Sequence, residues 1–184
     1  MSRTLRQILD ELRVAALDPR DQGDKFERLM LAYLTTDPEW TAQFSDVWLW
    51  TDWPQRAGRP DTGIDLVAKE RDGEGLCAIQ CKFYAAEHRV SKADIDSFLA
   101  TSGKVGFTRR LIITTSEKWG TNAEDALHDQ TVLVQRIDLD RLNQSRIDWE
   151  KFLLEHARCP GHQQGQDSIP TPARGHRRRP QGPR

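Results

Sequence analysis

The chain has 184 residues, 37% of them hydrophobic, with six Trp, three Cys and a formal charge of −1 from 27 basic and 28 acidic groups. That is apolar material for one core, so one domain plus a tail is expected, and the near-neutral charge excludes a surface that is a polyanion trap all over. Residues 161–184 hold five Arg (Arg174, Arg177, Arg178, Arg179, Arg184) against Asp167, leaving 22 basic and 27 acidic groups in residues 1–160, so any nucleic-acid contact by the body needs a local patch.

Cys77, Cys81 and Cys159 are sparse, odd in number and not in a CxxC pair, which favours a reducing, cytoplasmic compartment. The N-terminus MSRTLRQILDEL has no apolar h-region, and no run approaches the roughly 18 apolar residues of a membrane span, so neither a signal peptide nor a membrane segment is expected. Leu5, Ile8, Leu9, Leu12 and Ala15/Ala16 recur at helical spacing and predict a first helix that Asp18-Pro19 ends. A second is predicted from Gly23/Asp24 through Phe26, Leu29, Met30, Tyr33 and Leu34, with Asp37-Pro38 as its stop. In VWLWTDWP, Val47 to Trp50 read as a short strand closed by Trp53-Pro54, with the Trp residues as packing rather than base-stacking groups.

Two strands, Ile64–Lys69 and Leu76–Tyr84, flank Asp72-Gly73, a dipeptide suited to the positive φ angles of a tight turn. Ser91, with Asp94 three residues on, caps a helix through Ile95, Phe98 and Leu99 that ends by Gly103. RLIITT (110–115) reads as a buried parallel strand, followed by a helix from Asn122 to Gln130, a strand Val132–Ile137 and a helix around Trp149–His156. Strand and helix alternating after a hairpin predicts an α/β domain with a mixed central sheet flanked by helices, over residues 1–158. Residues 159–184, rich in Pro, Gly, Gln and Arg, have too little apolar surface to offset their ordering entropy and are expected to be a disordered tail.

The hairpin carries polar groups that packing does not need. With a two-residue turn at Asp72-Gly73, Asp65 lies opposite Gln80; with Glu74 and Gly75 added to the loop, it lies opposite Lys82 with Gln80 on the diagonal. Either alignment gathers Asp65, Gln80 and Lys82 on one face, expected to be exposed, while Ile64, Leu66, Ala68, Ile79 and Cys81 face the core. A bulge at Gly75 would break this parity. A carboxylate and an amide oxygen are hard ligands suited to Mg²⁺, and a lysine beside them can orient a water or stabilise charge on a phosphate, so the trio fits metal-assisted phosphodiester hydrolysis. The plainer reading is a cross-strand polar pair on a wet sheet face. Lys25, Arg56, Arg59 and Lys92 read as solvated surface, although Lys92 at a helix start can meet a backbone phosphate, and His88 and His128 show no metal spacing.

GIDLVA…AIQCKFY resembles the Asp-(x)n-Gln-x-Lys core of Mrr-like nucleases, a branch of the PD-(D/E)XK restriction-endonuclease superfamily. GDKFERLMLAYL looks like that family's first core helix, whose Gly-x-x-Phe-Glu segment supplies an acid, here Glu27. With DPEWTAQFSDVWLWTDWP, SKADIDSFLATSGK and RLIITTSEKW in order, residues 5–155 resemble the N-terminal nuclease domain of type ISP restriction–modification enzymes, in which one polypeptide adds a helicase-like ATPase, an adenine methyltransferase and a target-recognition region. The resemblance implies a restriction-endonuclease-like core. It also implies Mg²⁺ as cofactor (Mn²⁺ substituting), double-stranded DNA as partner, and a helicase/methyltransferase region in the same or a neighbouring polypeptide. It makes Asp65 the metal aspartate, Gln80 the stand-in for the usual Asp/Glu, Lys82 the catalytic lysine, Glu27 a further metal-site acid and the Cys81 carbonyl a further ligand. Asp61, which forms a literal Pro-Asp, is given a loop or supporting role. The alternative is a non-catalytic DNA-binding or docking module with a vestigial site. No GxxxxGK[ST] phosphate loop appears, so the expectation is a truncated or frame-shifted reading frame, or an excised domain.

Overall fold

The computed structural model describes residues 4–60, 63–85, 87–104, 106–128 and 130–156. Asp61, Cys159 and the expected tail lie outside the described residues. α1 (Leu5–Val14) opens with a capping box in which Thr4 and Gln7 satisfy each other's backbone N–H groups. α2 (Pro19–Thr36) begins four residues before the expected Gly23 start. Asp18-Pro19 is an initiator: the Asp18 side chain accepts from the Asp21 N–H, and Pro19 sits at the first helical position, where its missing N–H costs nothing. Asp37-Pro38 ends α2 and also starts α3 (Pro38–Gln43), a helix the sequence reading did not foresee.

β1 (Phe44–Leu49) runs into a 3₁₀ turn at Trp50–Asp52. β2 (Leu66–Glu70) and β3 (Leu76–Lys82) form the hairpin, and of Asp72-Gly73 only Gly73 adopts positive φ. Then come β4 (Arg89–Val90), α4 (Lys92–Ser102) behind its Ser91/Asp94 capping box, β5 (Arg109–Thr114) and β6 (Lys118–Trp119). α5 (Thr121–Leu127), β7 (Val134–Ile137), α6 (Leu139–Asn143) and α7 (Trp149–His156) complete the described chain.

The central sheet has the order β1-β2-β3-β5-β7, antiparallel across β1, β2 and β3 and parallel across β3, β5 and β7, the mixed sheet expected. Parallel neighbours need long crossovers, which α4 and α5 supply. β4 and β6 form a separate two-stranded parallel ribbon, too short to register as periodicity. Both faces of the sheet are covered. On one, Leu66, Ala68, Cys77, Ile79, Leu111 and Ile113 meet Phe26, Met30, Tyr33 and Leu34 of α2 and the α1 apolar face. On the other, Val67, Ala78 and Ile112 meet Ile95 and Phe98 of α4 together with Trp50, Trp53 and Trp119. The expected exposed face of the hairpin is therefore a second core, and Trp50 and Trp53 pack within it, as read from the sequence. Among the described residues no helix is long and apolar enough to cross a membrane.

Candidate active site

The ladder between β2 and β3 pairs Leu66 with Ile79 and Lys69 with Leu76, the register set by a two-residue turn. Continued one step, it would place Asp65 opposite Gln80. It does not continue: the Asp65 N–H donates to the Ile79 carbonyl (2.9 Å), although Leu66 already faces Ile79, so two residues address one partner, as in a β-bulge. The parity break expected as a risk at Gly75 occurs ten residues earlier. Its consequence is visible in packing, where Ile64 joins Val67 and Phe98 rather than the Leu66 side.

Freed from the alternation, the Asp65 carboxylate takes over the ladder's work: its Oδ2 accepts the Cys81 N–H at 2.6 Å. Asp65 also lines an open cleft of about 600 Å³ with Asp24 and Glu27 of α2. The two acids separated by 38 positions in the chain thus meet in one concavity. Cys81 reports the same convergence. Burial pushes its thiol well above its ordinary pKa, the Asp65 and Glu27 charges push it further, and Lys82 opposes them. Lys82 lies half-buried at the end of β3, next to Cys81 in the chain. From Cys81 the contact seen is the N–H rather than the expected carbonyl.

Gln80 departs from expectation. It is 1% exposed, on the face covered by α4, and its Nε2 donates to the Gly63 carbonyl at 3.1 Å. Gly63 takes φ +82°, and a Cβ there would stand 2.8 Å from Ser97 Oγ and 3.4 Å from the Phe98 N, so α4 presses directly on the turn that delivers Asp65. Among the described residues the Gln80 Oε1 is buried without a hydrogen-bond partner. Such an orphaned acceptor costs free energy unless a donor or cation reaches it.

The segment that follows β3 is tied to the start of α4. Tyr84, two positions beyond Lys82, donates its hydroxyl to Asp94 Oδ1 at 2.9 Å and stacks on His88 with ring centroids 3.8 Å apart. Asp94 also accepts the Ser91 N–H and hydroxyl. Burial works to raise its pKa, but the bonds from Ser91, Tyr84 and His88 outweigh that and hold it below the ordinary carboxylate value. Burial, followed by that bond to a carboxylate, pushes the Tyr84 phenol up. A capping-box acid three residues after a serine was legible; its bond to Tyr84 is long-range and was not.

Among the described residues no three His, Cys, Asp or Glu side chains cluster as a metal-binding group. The set that lines the cleft is two carboxylates, Glu27 and Asp65, while the Gln80 amide oxygen lies on the α4 face of the sheet. That set fits a hard divalent cation that keeps several waters and takes one or two carboxylates.

A five-stranded mixed sheet covered on both faces, with two acids meeting where a hairpin strand is interrupted, makes this an α/β protein. A family profile described as restriction endonuclease, of the Mrr catalytic type, matches residues 35–159, and the chain belongs to that family. Asp65, Gln80, Cys81 and Lys82 fall inside the matched stretch, and Glu27 precedes it. Among solved structures, the type ISP restriction–modification enzyme LlaBIII bound to DNA is 35% identical with a TM-score of 0.65, over 80% of this chain and 9% of its own. The DNA modification-dependent restriction endonuclease AspBHI shares the fold at 17% identity and a TM-score of 0.51, over 83% of this chain and 35% of its own. Among curated proteins, none matches significantly.

Proposed function

We propose that the chain is a Mg²⁺-dependent DNA endonuclease module that hydrolyses phosphodiester bonds, with Mn²⁺ able to substitute, and that it acts as the cleavage part of a type ISP-like restriction system. The observation that carries this is the convergence of Glu27 and Asp65 in one cleft, with Lys82 at the end of the adjoining strand, in a member of the restriction endonuclease family. In this reading Asp65 and Glu27 hold the ion, assisted by the Cys81 carbonyl, while the Gln80 amide, expected from the sequence as a ligand, lies on the α4 face and anchors the turn that carries Asp65. The ion would polarise the phosphodiester and lower the pKa of a bound water. Lys82 supplies a compact positive charge that orients the attacking water and offsets negative charge on the phosphate oxygens. The Cys81 N–H fixes one Asp65 oxygen and so sets which direction the other presents. Duplex DNA is the proposed partner, with a helicase/methyltransferase region in the same or a neighbouring polypeptide supplying recognition.

The test is incubation of supercoiled plasmid with the protein in Mg²⁺ or Mn²⁺. Wild type is expected to nick without sequence preference, and Lys82→Ala to slow nicking by about 10²–10³-fold, the scale of removing one charge-stabilising group. Equal nicking by both, or none by wild type at high enzyme, favours a DNA-docking module with a vestigial site.

A further inference from the structure

One face of α2 lines the cleft through Arg20, Gly23, Asp24, Glu27 and Arg28, while Phe26, Leu29 and Met30 on its other side are core. Gly23 has no internal reason to be glycine. It lies within the helix, takes no positive φ, and among the described residues nothing beyond its chain neighbours and its own helix backbone lies within 4 Å of where its Cβ would be, so alanine would fit and would favour the helix. The bare position instead widens the cleft floor between two arginines. Arg20 and Arg28 are both exposed, and neither is held in an ion pair or hydrogen bond among the described residues. Eight positions apart on a helix, their Cα atoms are separated by about 12 Å along its axis, three to four nucleotide steps of one DNA strand at ~3.4 Å each. Arg56 also lines the cleft.

We infer that this face of α2 is the track for the DNA sugar–phosphate backbone: Gly23 permits the closest approach, and Arg20 and Arg28 hold phosphates on either side of Glu27. Resting on the nuclease reading above, the assignment adds the path by which the phosphodiester reaches the acids. Asp24, Glu27 and Asp65 repel an anion, so the flanking guanidiniums and a bound cation must offset them.

Binding of a labelled 30-bp duplex, followed by anisotropy over a salt series in EDTA and in Ca²⁺, tests this without cleavage. Arg20→Gln/Arg28→Gln is expected to weaken binding about tenfold or more and to reduce the slope of log K against log salt by about two, near 0.9 per phosphate released. Arg146→Gln, at an exposed arginine between α6 and α7, is the control and should not reproduce that loss. Gly23→Gln should weaken binding about tenfold with an unchanged slope while raising the melting temperature, because only the outside approach is obstructed. An unchanged slope in the double variant, full affinity in Gly23→Gln, or no duplex binding by wild type in either buffer overturns the inference. Duplex binding with the expected variant effects but no nicking overturns the nuclease reading alone.

Discussion

Replacing Gln80 with Glu would install the acid of the PD-(D/E)XK pattern that the hairpin resembles, yet the geometry says it should harm this protein. The amide Nε2 donates to the Gly63 carbonyl at 3.1 Å, and a carboxylate would set an oxygen against that oxygen in a site that is 1% exposed. Losing the donor and burying a poorly matched charge should cost about 2–4 kcal/mol. For a domain of this size that corresponds to a fall in Tm of about 5–15 °C. The sign with pH comes from linkage. Burial beside a carbonyl raises the folded-state pKa of the new Glu above its unfolded value near ~4.3, so between those values the folded form holds a proton the unfolded form lacks, and stability drops as pH rises. At pH 5 the protonated acid donates to Gly63 as the amide does and the deficit is small; above the folded pKa it is full. Differential scanning fluorimetry in EDTA at pH 5 and pH 8 reads this without any nuclease activity. Nicking by Gln80→Glu should also fall at least tenfold, because the turn carrying Asp65 loses its anchor. A melting temperature equal to wild type at pH 8, together with nicking as fast or faster, would refute the reasoning and make Gln80 a weakened substitute for a carboxylate ligand.

Asp65→Asn and Glu27→Gln should each abolish most of the Mg²⁺-linked rise in Tm, which at a hundred times Kd amounts to about 5–10 °C, whereas Lys82→Ala should keep that rise and lose nicking. A full rise in Glu27→Gln would remove Glu27 from the site. Gly63→Ala should destabilise through both its φ of +82° and the 2.8 Å approach to Ser97 Oγ; adding Ser97→Gly should relieve the clash but leave about 1–3 kcal/mol of backbone strain in chemical denaturation. Asp94→Ala should cost about 1–3 kcal/mol near neutral pH by unbonding Tyr84 and the α4 N-terminus. Because the folded-state pKa of Asp94 is lowered, that contribution is present above the ordinary carboxylate pKa and is lost as pH falls through the lowered value, so wild type and variant should converge in acid.

The order of the main elements was legible because each depends on short-range chemistry: apolar spacing in α1, a capping box in α4, a bounded apolar run in β5; the short α3, β4, β6 and α6 carry too few residues to show a period. The errors share a cause. Asp-Pro was read as a terminator because the residue before proline avoids the helical region, but the same dipeptide supplies an N-cap and a prolyl N1, so one signal serves both ends. Which role wins depends on the residues downstream, and after both Asp18 and Asp37 the chain continues as helix. Of the two registers that the hairpin turn left open, the two-residue one is observed, whereas burial of both sheet faces was not legible. Alternating polar and apolar residues predict a wet face only when nothing covers it, and α4 with the Trp cluster covers this one.

That second cover explains how a local irregularity becomes a site. In a regular ladder Asp65 and Gln80 would have shared the α4 face, where a carboxylate would be sealed among Ile95, Phe98 and Trp53. Two consecutive residues addressing Ile79 send Ile64 into that core in its place and release Asp65 toward α2, where Glu27 and the open cleft are. Gly63 makes the reversal possible because only a residue tolerant of positive φ, and without a Cβ against Ser97, can precede it. Gln80 holds the turn from across the sheet with its amide nitrogen and leaves an oxygen bare. A strand without this interruption would have yielded a better ladder and a buried charge. The sequence motif names the residues, but the bulge decides that the acids meet.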